Sequence, residues 1–187
     1  GGVDHPTGGA PVVGAVAPLV LGWWLFGRSG GAGAVELIDQ FAAADKRPPA
    51  PGIFALEDVT IKGETKRAIA VTPSIGTRLT FKTRVPDDGW LRVAVGLKEE
   101  AWTQEGDGVR FMAIVSDGRA SDELFVQDVN PFLNQTDRKW VPVMVDLSAY
   151  AGEEVDIMLN TYASTPGKGA DTRNDLAVWG APEIVVR

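Results

Sequence analysis

The chain has no cysteine and one histidine, His5. Without cysteine there are no disulfides, no thiolate metal ligands and no thiol nucleophile. A Ser-His-Asp triad and a histidine-based zinc site both need a histidine held by the fold. His5 sits in a tail rich in Gly and Pro, so neither is built here. An excess of positive charge is also missing. Lys and Arg number 18 against 25 Asp and Glu, giving a net charge of -7 and a pI near 4.7. Nucleic-acid binders carry a basic patch and a high pI, so nucleic acid is excluded as a partner. No internal repeat recurs at a fixed period.

What is present divides into an apolar run and a long patterned region. Residues 1–9 form an N-terminal tail. The window Ala10–Gly27 holds 18 residues without a charge, and Arg28 follows at once. A membrane-spanning helix needs about 20 apolar residues, with about 17 at the low end. Residues 10–28 are therefore expected to form a single-pass transmembrane anchor in the lipid bilayer. Its apolar surface would be Val12, Val13, Val16, Leu19, Val20, Leu21, Trp23, Trp24, Leu25 and Phe26. Trp23 and Trp24 lie where an interfacial aromatic belt is expected. The first cation follows the run instead of preceding it, which is the wrong order for a secretory signal. Arg28, Lys46 and Arg47 all lie C-terminal to it, so the charge rule places the following domain in the cytoplasm.

Residues 29–52 read as a Gly/Pro-rich linker. Within it, 34–45 has the spacing of a short amphipathic helix. Leu37, Ile38 and Phe41 share one face, and Glu36, Asp39 and Gln40 fall mostly on the other. That face would pack on the following domain, on a partner or on lipid. Pro48, Pro49 and Pro51 end it.

From residue 53 to 187, period-two alternation dominates. Leu79, Phe81, Thr83 and Val85 share a face, as do Leu91, Val93, Val95 and Leu97. Val109, Phe111, Ala113 and Val115 follow, then Val141, Val143, Val145 and Leu147, then Val155, Ile157 and Leu159. Turn signals separate the runs, among them Pro86-Asp87-Asp88-Gly89 and Ser116-Asp117-Gly118. With further strands near 53–61, 65–72, 120–128 and 177–186 the expectation is eight or nine. Many short antiparallel strands without intervening helices mean a β-sandwich or barrel. Thr161 to Asp175 reads as a long polar loop.

The run Asp146-Leu147-Ser148-Ala149-Tyr150-Ala151-Gly152, followed by alternating Val155, Ile157 and Leu159, resembles a segment of galactose-binding-domain-like jelly-roll sandwiches. Trp140 and the closing Trp179-Gly180-Ala181-Pro182 are similar to the same modules. The resemblance covers roughly 108–187. It implies a mainly β, jelly-roll-type antiparallel sandwich of the kind seen in carbohydrate-binding modules. It also places the domain outside the cell, against the charge rule, so the side of the membrane stays open. Such modules often hold a structural calcium, for which Asp171 and Asp175, with Asn174, or Asp117 with Asp122, would supply oxygens. No other cofactor is implied.

Sugar binding needs aromatic platforms with amides and carboxylates beside them. The candidates are Trp90, Trp102, Tyr162 and Asn134, with Asn130 and Asn160. Trp140 and Trp179 flank core strands and are expected to be buried. Arg78, Lys82 and Arg84 project from the face opposite Leu79 and Phe81, either as an ordinary solvated stripe or as a contact for an acidic partner or anionic lipid. Acid pairs are plentiful, but no spacing singles out a glycosidase pair. The chain is read as non-catalytic. The expected role is an accessory subunit that packs its sandwich on a larger membrane complex, such as a photosynthetic reaction-centre or respiratory assembly. The alternative is a membrane-tethered carbohydrate-binding module.

Overall fold

A computed structural model describes Gly2 and residues 34–72, 76–163 and 176–187. The apolar run 10–28 and the calcium candidates Asp171, Asn174 and Asp175 lie outside these residues. Among the described residues no helix is long and apolar enough to cross a membrane.

Eleven strands run through the described chain: β1 (Val35–Glu36), β2 (Asp45–Arg47), β3 (Phe54–Ile61), β4 (Glu64–Val71), β5 (Thr77–Arg84), β6 (Gly89–Leu97), β7 (Val109–Ser116), β8 (Ser121–Val129), β9 (Val141–Asp146), β10 (Glu154–Ala163) and β11 (Ala177–Val186). They form two antiparallel sheets. One has the order β3-β4-β11-β6-β9, with β1 also paired to β11, and the other has the order β2-β5-β10-β7-β8. The alternating apolar positions of β5, β7 and β10 supply one inner face, with Leu79, Phe81, Phe111, Val115, Ile157 and Leu159 almost wholly buried. Leu91, Val93, Val95, Ile69 and Ile184 supply the other, and Trp179 packs edge-on against Phe111 with ring centroids 5.2 Å apart.

Nine of these strands, β3 to β11, fall where strands are expected: five alternating runs and the four further stretches. The expected amphipathic helix over 34–45 is not an α-helix. Residues 35–36 join the first sheet and 45–47 join the second, so the intervening chain crosses from sheet to sheet. It does so as a 3₁₀ segment, Leu37–Ala43. Leu37 is completely buried in the sandwich core and Phe41 packs against it. Of the surfaces that this face could meet, its own domain takes Leu37 and Phe41, which corrects the partner or lipid contact named for them, because the strap closes the side of that domain. Ile38 is half-buried and borders a cavity with Glu36, Arg67 and Pro182. Lys46 ends the strap by donating to the carbonyls of Phe41 at 2.7 Å and Ala44 at 3.2 Å.

The segment carrying the jelly-roll resemblance has a clear local logic. The Asp146 carboxylate accepts from the Ser148 amide at 2.8 Å and starts a short 3₁₀ turn, Ser148–Tyr150. Leu147 is buried beneath it. Gly152 sits at φ 79°, a backbone region that costs a residue with a Cβ, and its amide meets the Val85 carbonyl at 2.7 Å.

A second, smaller apolar cluster lies on the outside of the first sheet, where Val59, Ile61, Ala68, Ala94 and Val178 pack around Trp140. The indole NH of Trp140 donates to the Glu64 carbonyl at 3.0 Å. Its ring lies over Gly180, where an added Cβ would fall 2.7 Å from Cζ3.

Candidate functional site

The outer face of the β5–β10–β7–β8 sheet brings together aromatic, amide, guanidinium and carboxylate groups. Register sets the arrangement. Asn160 of β10 stands between Arg78 of β5 and Met112 of β7, and Met112 faces Val126 of β8. One step along β10 on the same face, Tyr162 stands beside Arg110, which faces Asp128. One step the other way, Met158 stands between Thr80 and Ile114. The result is an apolar floor of Met112, Ile114, Met158 and Val126 with one aromatic ring and a polar surround. From Glu154 to Tyr162 the face extends about 27 Å at the usual strand rise.

The polar groups are fixed by one another. Asn160 is only 6% exposed, and its carboxamide oxygen accepts from Arg78 Nε at 3.0 Å. Arg110 and Asp128 form a two-point pair, with Nε to Oδ1 at 2.8 Å and Nη2 to Oδ2 at 3.0 Å. That hydrogen bond and the adjacent Asp128 charge hold the Arg110 guanidinium even more firmly protonated than usual. The Tyr162 hydroxyl meets Met112 Sδ at 3.3 Å, which leaves the ring half-buried along the strip. At the far end of this face Lys82, Arg84, Ser116, Asp117, Glu154 and Asp156 border a cavity of about 490 Å³.

The other expected site residues are dispersed. Trp90 lies at the opposite end of the sandwich from the 98–108 loop, with the Arg187 guanidinium 5.4 Å from its ring. Trp102 is not a free platform. It is half-buried, packs against the Trp140 cluster, and donates from its indole NH to the Leu97 carbonyl at 3.1 Å. The neighbouring loop reading missed this because Ile61 and Trp140 fold over from elsewhere in the chain. Asn134 is exposed at the tip of the 130–138 loop, and its amide NH donates to the Asn130 carbonyl at 2.9 Å. The Asn130 side chain serves that loop too, donating to the Gly106 carbonyl at 3.3 Å. Phe132 and Leu133 project from the same tip, 39% and 70% exposed. Lys82 lies 3.6 Å from Asp156, and Arg84 donates to the Gly152 carbonyl at 2.8 Å. Of the basic stripe, Arg78 alone enters the cluster around Asn160.

The calcium pair Asp117 and Asp122 is engaged otherwise. The Asp117 carboxylate accepts from the amides of Ala120 and Arg119, which hold it below the usual carboxylate range. Asp122 accepts from the Tyr150 hydroxyl. Among the described residues no group of three or more His, Cys, Asp or Glu side chains is placed to hold a metal ion.

Arg110, Asp128, Met112 and Val126 were not picked out from the sequence. The signal was there in β7, whose outward positions Met112 and Ile114 are apolar although its inward face is already complete. A strand greasy on both faces at a sheet surface marks a surface that is used or covered.

No family model matches this sequence. An uncharacterized protein of Archaeoglobus fulgidus is 38% identical over 101 residues, covering 54% of this chain and 25% of that protein. The chain thus spans about a quarter of that relative's length. Solved structures of similar fold include carbohydrate-binding modules. The CBM51-2 and INT domains of Clostridium perfringens ZmpB align over 82% of this chain and 31% of theirs, at a TM-score of 0.58 and 16% identity. The same domains with CBM51-2 in complex with GlcNAc align at a TM-score of 0.54. TmCBM61 in complex with beta-1,4-galactotriose aligns over 81% of this chain and 94% of that one, at a TM-score of 0.50 and 11% identity. At these identities the likeness is one of fold.

Proposed function

We propose that this sandwich is a non-catalytic carbohydrate-binding domain and that its ligand lies along the outer face of β5, β10, β7 and β8. The observation that carries the reading is the convergence of Tyr162, the Arg78–Asn160 pair and the Arg110–Asp128 pair around an apolar floor. A pyranose presents an apolar face of C–H groups and a rim of hydroxyls. The first suits an aromatic ring with methionine beside it. The second suits carboxamide, guanidinium and carboxylate groups whose orientations are already set, because prior ordering lowers the entropy cost of binding. The fold shared with carbohydrate-binding modules supports this reading over that of a structural subunit in a membrane assembly.

The tether read from residues 10–28 belongs to the same proposal. Val35 pairs with Ile184, far along β11 from Ala177, beside which the 98–108 loop begins. The short stretch 28–34 reaches about 25 Å at most. A bilayer holding the apolar run would lie near the Val35 end and leave the loop end pointing away.

Affinity electrophoresis of the full chain through gels containing neutral and acidic polysaccharides tests the sugar reading. Retardation by one glycan, lost in Tyr162→Ala and kept in Trp90→Ala, is the expected result. Equal migration in every gel would overturn it.

A further inference from the structure

Resting on the carbohydrate reading, we infer that the ligand is an anionic saccharide whose acidic group is taken by Arg78 and Arg47. The two arginines stand directly opposite each other on β5 and β2, and both side chains face outward. Like charges placed directly opposite on an antiparallel pair repel. Three other sheet-surface arginines meet acids, Arg67 with Asp58, Arg92 with Glu183 and Arg110 with Asp128, while Arg84 donates to the Gly152 carbonyl. Among the described residues Arg78 meets no acid. Its recorded partner is the neutral Asn160 carboxamide, bound through Nε. Arg47 is held only loosely, by Asp45 two residues away at 3.2 Å, with both side chains more than half exposed.

That geometry suits an incoming anion. Asn160 is buried and anchors Nε, so the guanidinium plane of Arg78 is oriented, and among the described residues its terminal nitrogens have no assigned acceptor. A planar guanidinium binds a carboxylate through two parallel hydrogen bonds. Tyr162 lies two residues beyond Asn160 on the same strand face, about 7 Å away. A sugar ring stacked there would bring a substituent to Arg78. The chain carries a net charge of -7, so general attraction to anions does not account for such a preference. A uronate carboxylate and a sugar sulfate share this chemistry.

The test uses isothermal titration of the full chain with oligogalacturonate, neutral galacto-oligosaccharide and a sulfated galactan oligomer. The wild type is expected to bind an acidic oligomer at least about tenfold more tightly than the neutral one, the scale of one charge-assisted hydrogen bond. Arg78→Gln is expected to erase that difference, Arg78→Lys to retain part of it, and the more exposed Arg47→Gln to reduce it. Whichever acidic oligomer binds better identifies the anion. Equal binding of neutral and acidic oligomers, with Tyr162→Ala still abolishing it, would overturn the anionic assignment and leave the carbohydrate reading standing. Failure of all three to bind would overturn both.

Discussion

Replacing Gly180 with alanine puts one methyl group against the ring of Trp140, and the cost follows from the geometry. The new Cβ would lie 2.7 Å from Cζ3 and 3.0 Å from Cη2 of Trp140, and 3.0 Å from Lys66 Cδ. The lysine stem can swing aside cheaply. The indole cannot, because it is 7% exposed, packed in the second cluster and tied to the Glu64 carbonyl at 3.0 Å. Overpacking of this kind costs roughly 1–3 kcal/mol. For a chain of this size each kcal/mol moves Tm by about 2–4 °C, so a fall of about 2–12 °C is expected. Urea unfolding followed by circular dichroism gives the free energy. The cause is isolated by repeating the change in a Trp140→Ala background. With the ring gone, the added methyl has room. Alanine is then expected to be neutral or up to about 1 kcal/mol stabilising, through its smaller unfolded-state entropy. A loss of equal size in both backgrounds, or no loss with Trp140 present, would refute the account of this cluster.

Leu37→Ala removes a completely buried side chain from the strap between the sheets, and a loss of about 2–5 kcal/mol in urea unfolding is expected. Tyr150 donates to Asp122, and that hydrogen bond, followed by burial and the Asp122 charge, pushes its hydroxyl up to about 12. Folding favours the neutral phenol. Its stabilising effect is therefore full below pH 10 and fades as pH rises toward 12. In an ultraviolet titration Tyr150→Phe should delete the late-ionising phase, and so should Asp122→Ala shift it earlier. Asp128→Asn leaves Arg110 without its charged partner on the proposed sugar face. A several-fold loss of glycan affinity is expected by titration calorimetry, with little change in stability because the pair is partly exposed.

β5, β7, β9 and β10 were the most legible strands, because their inward residues recur at period two, whereas β11 buries four residues in succession and β8 pairs across a register shift. β1 and β2 are two and three residues long, too short for any period to register. The spacing of Leu37, Ile38 and Phe41 reads the same in the first turns of an α-helix or a 3₁₀ segment. What decides between them is pairing of the flanking residues with Ile184 and Thr80, distant in sequence. The candidate site was legible as separate residues only. Tyr162, Asn160 and Arg78 were each named, but their meeting depends on the β5–β10 register, which no local pattern contains. Trp102 erred in the opposite direction. Its loop position promised exposure, and long-range packing against the Trp140 cluster withdrew it.

The three methionines offer the most direct test of where a glycan binds. Met112 and Met158 lie on the proposed face, and Met144 lies on the outer side of the other sheet, 38% exposed. Protein labelled with ¹³C at the methionine methyls would be titrated with the oligosaccharide that the wild type retains. Progressive shifts of the Met112 and Met158 methyls, with Met144 unmoved, are the predicted result. Movement of Met144 alone, or saturation of binding with the Met112 and Met158 signals in place, would contradict the assignment of that face.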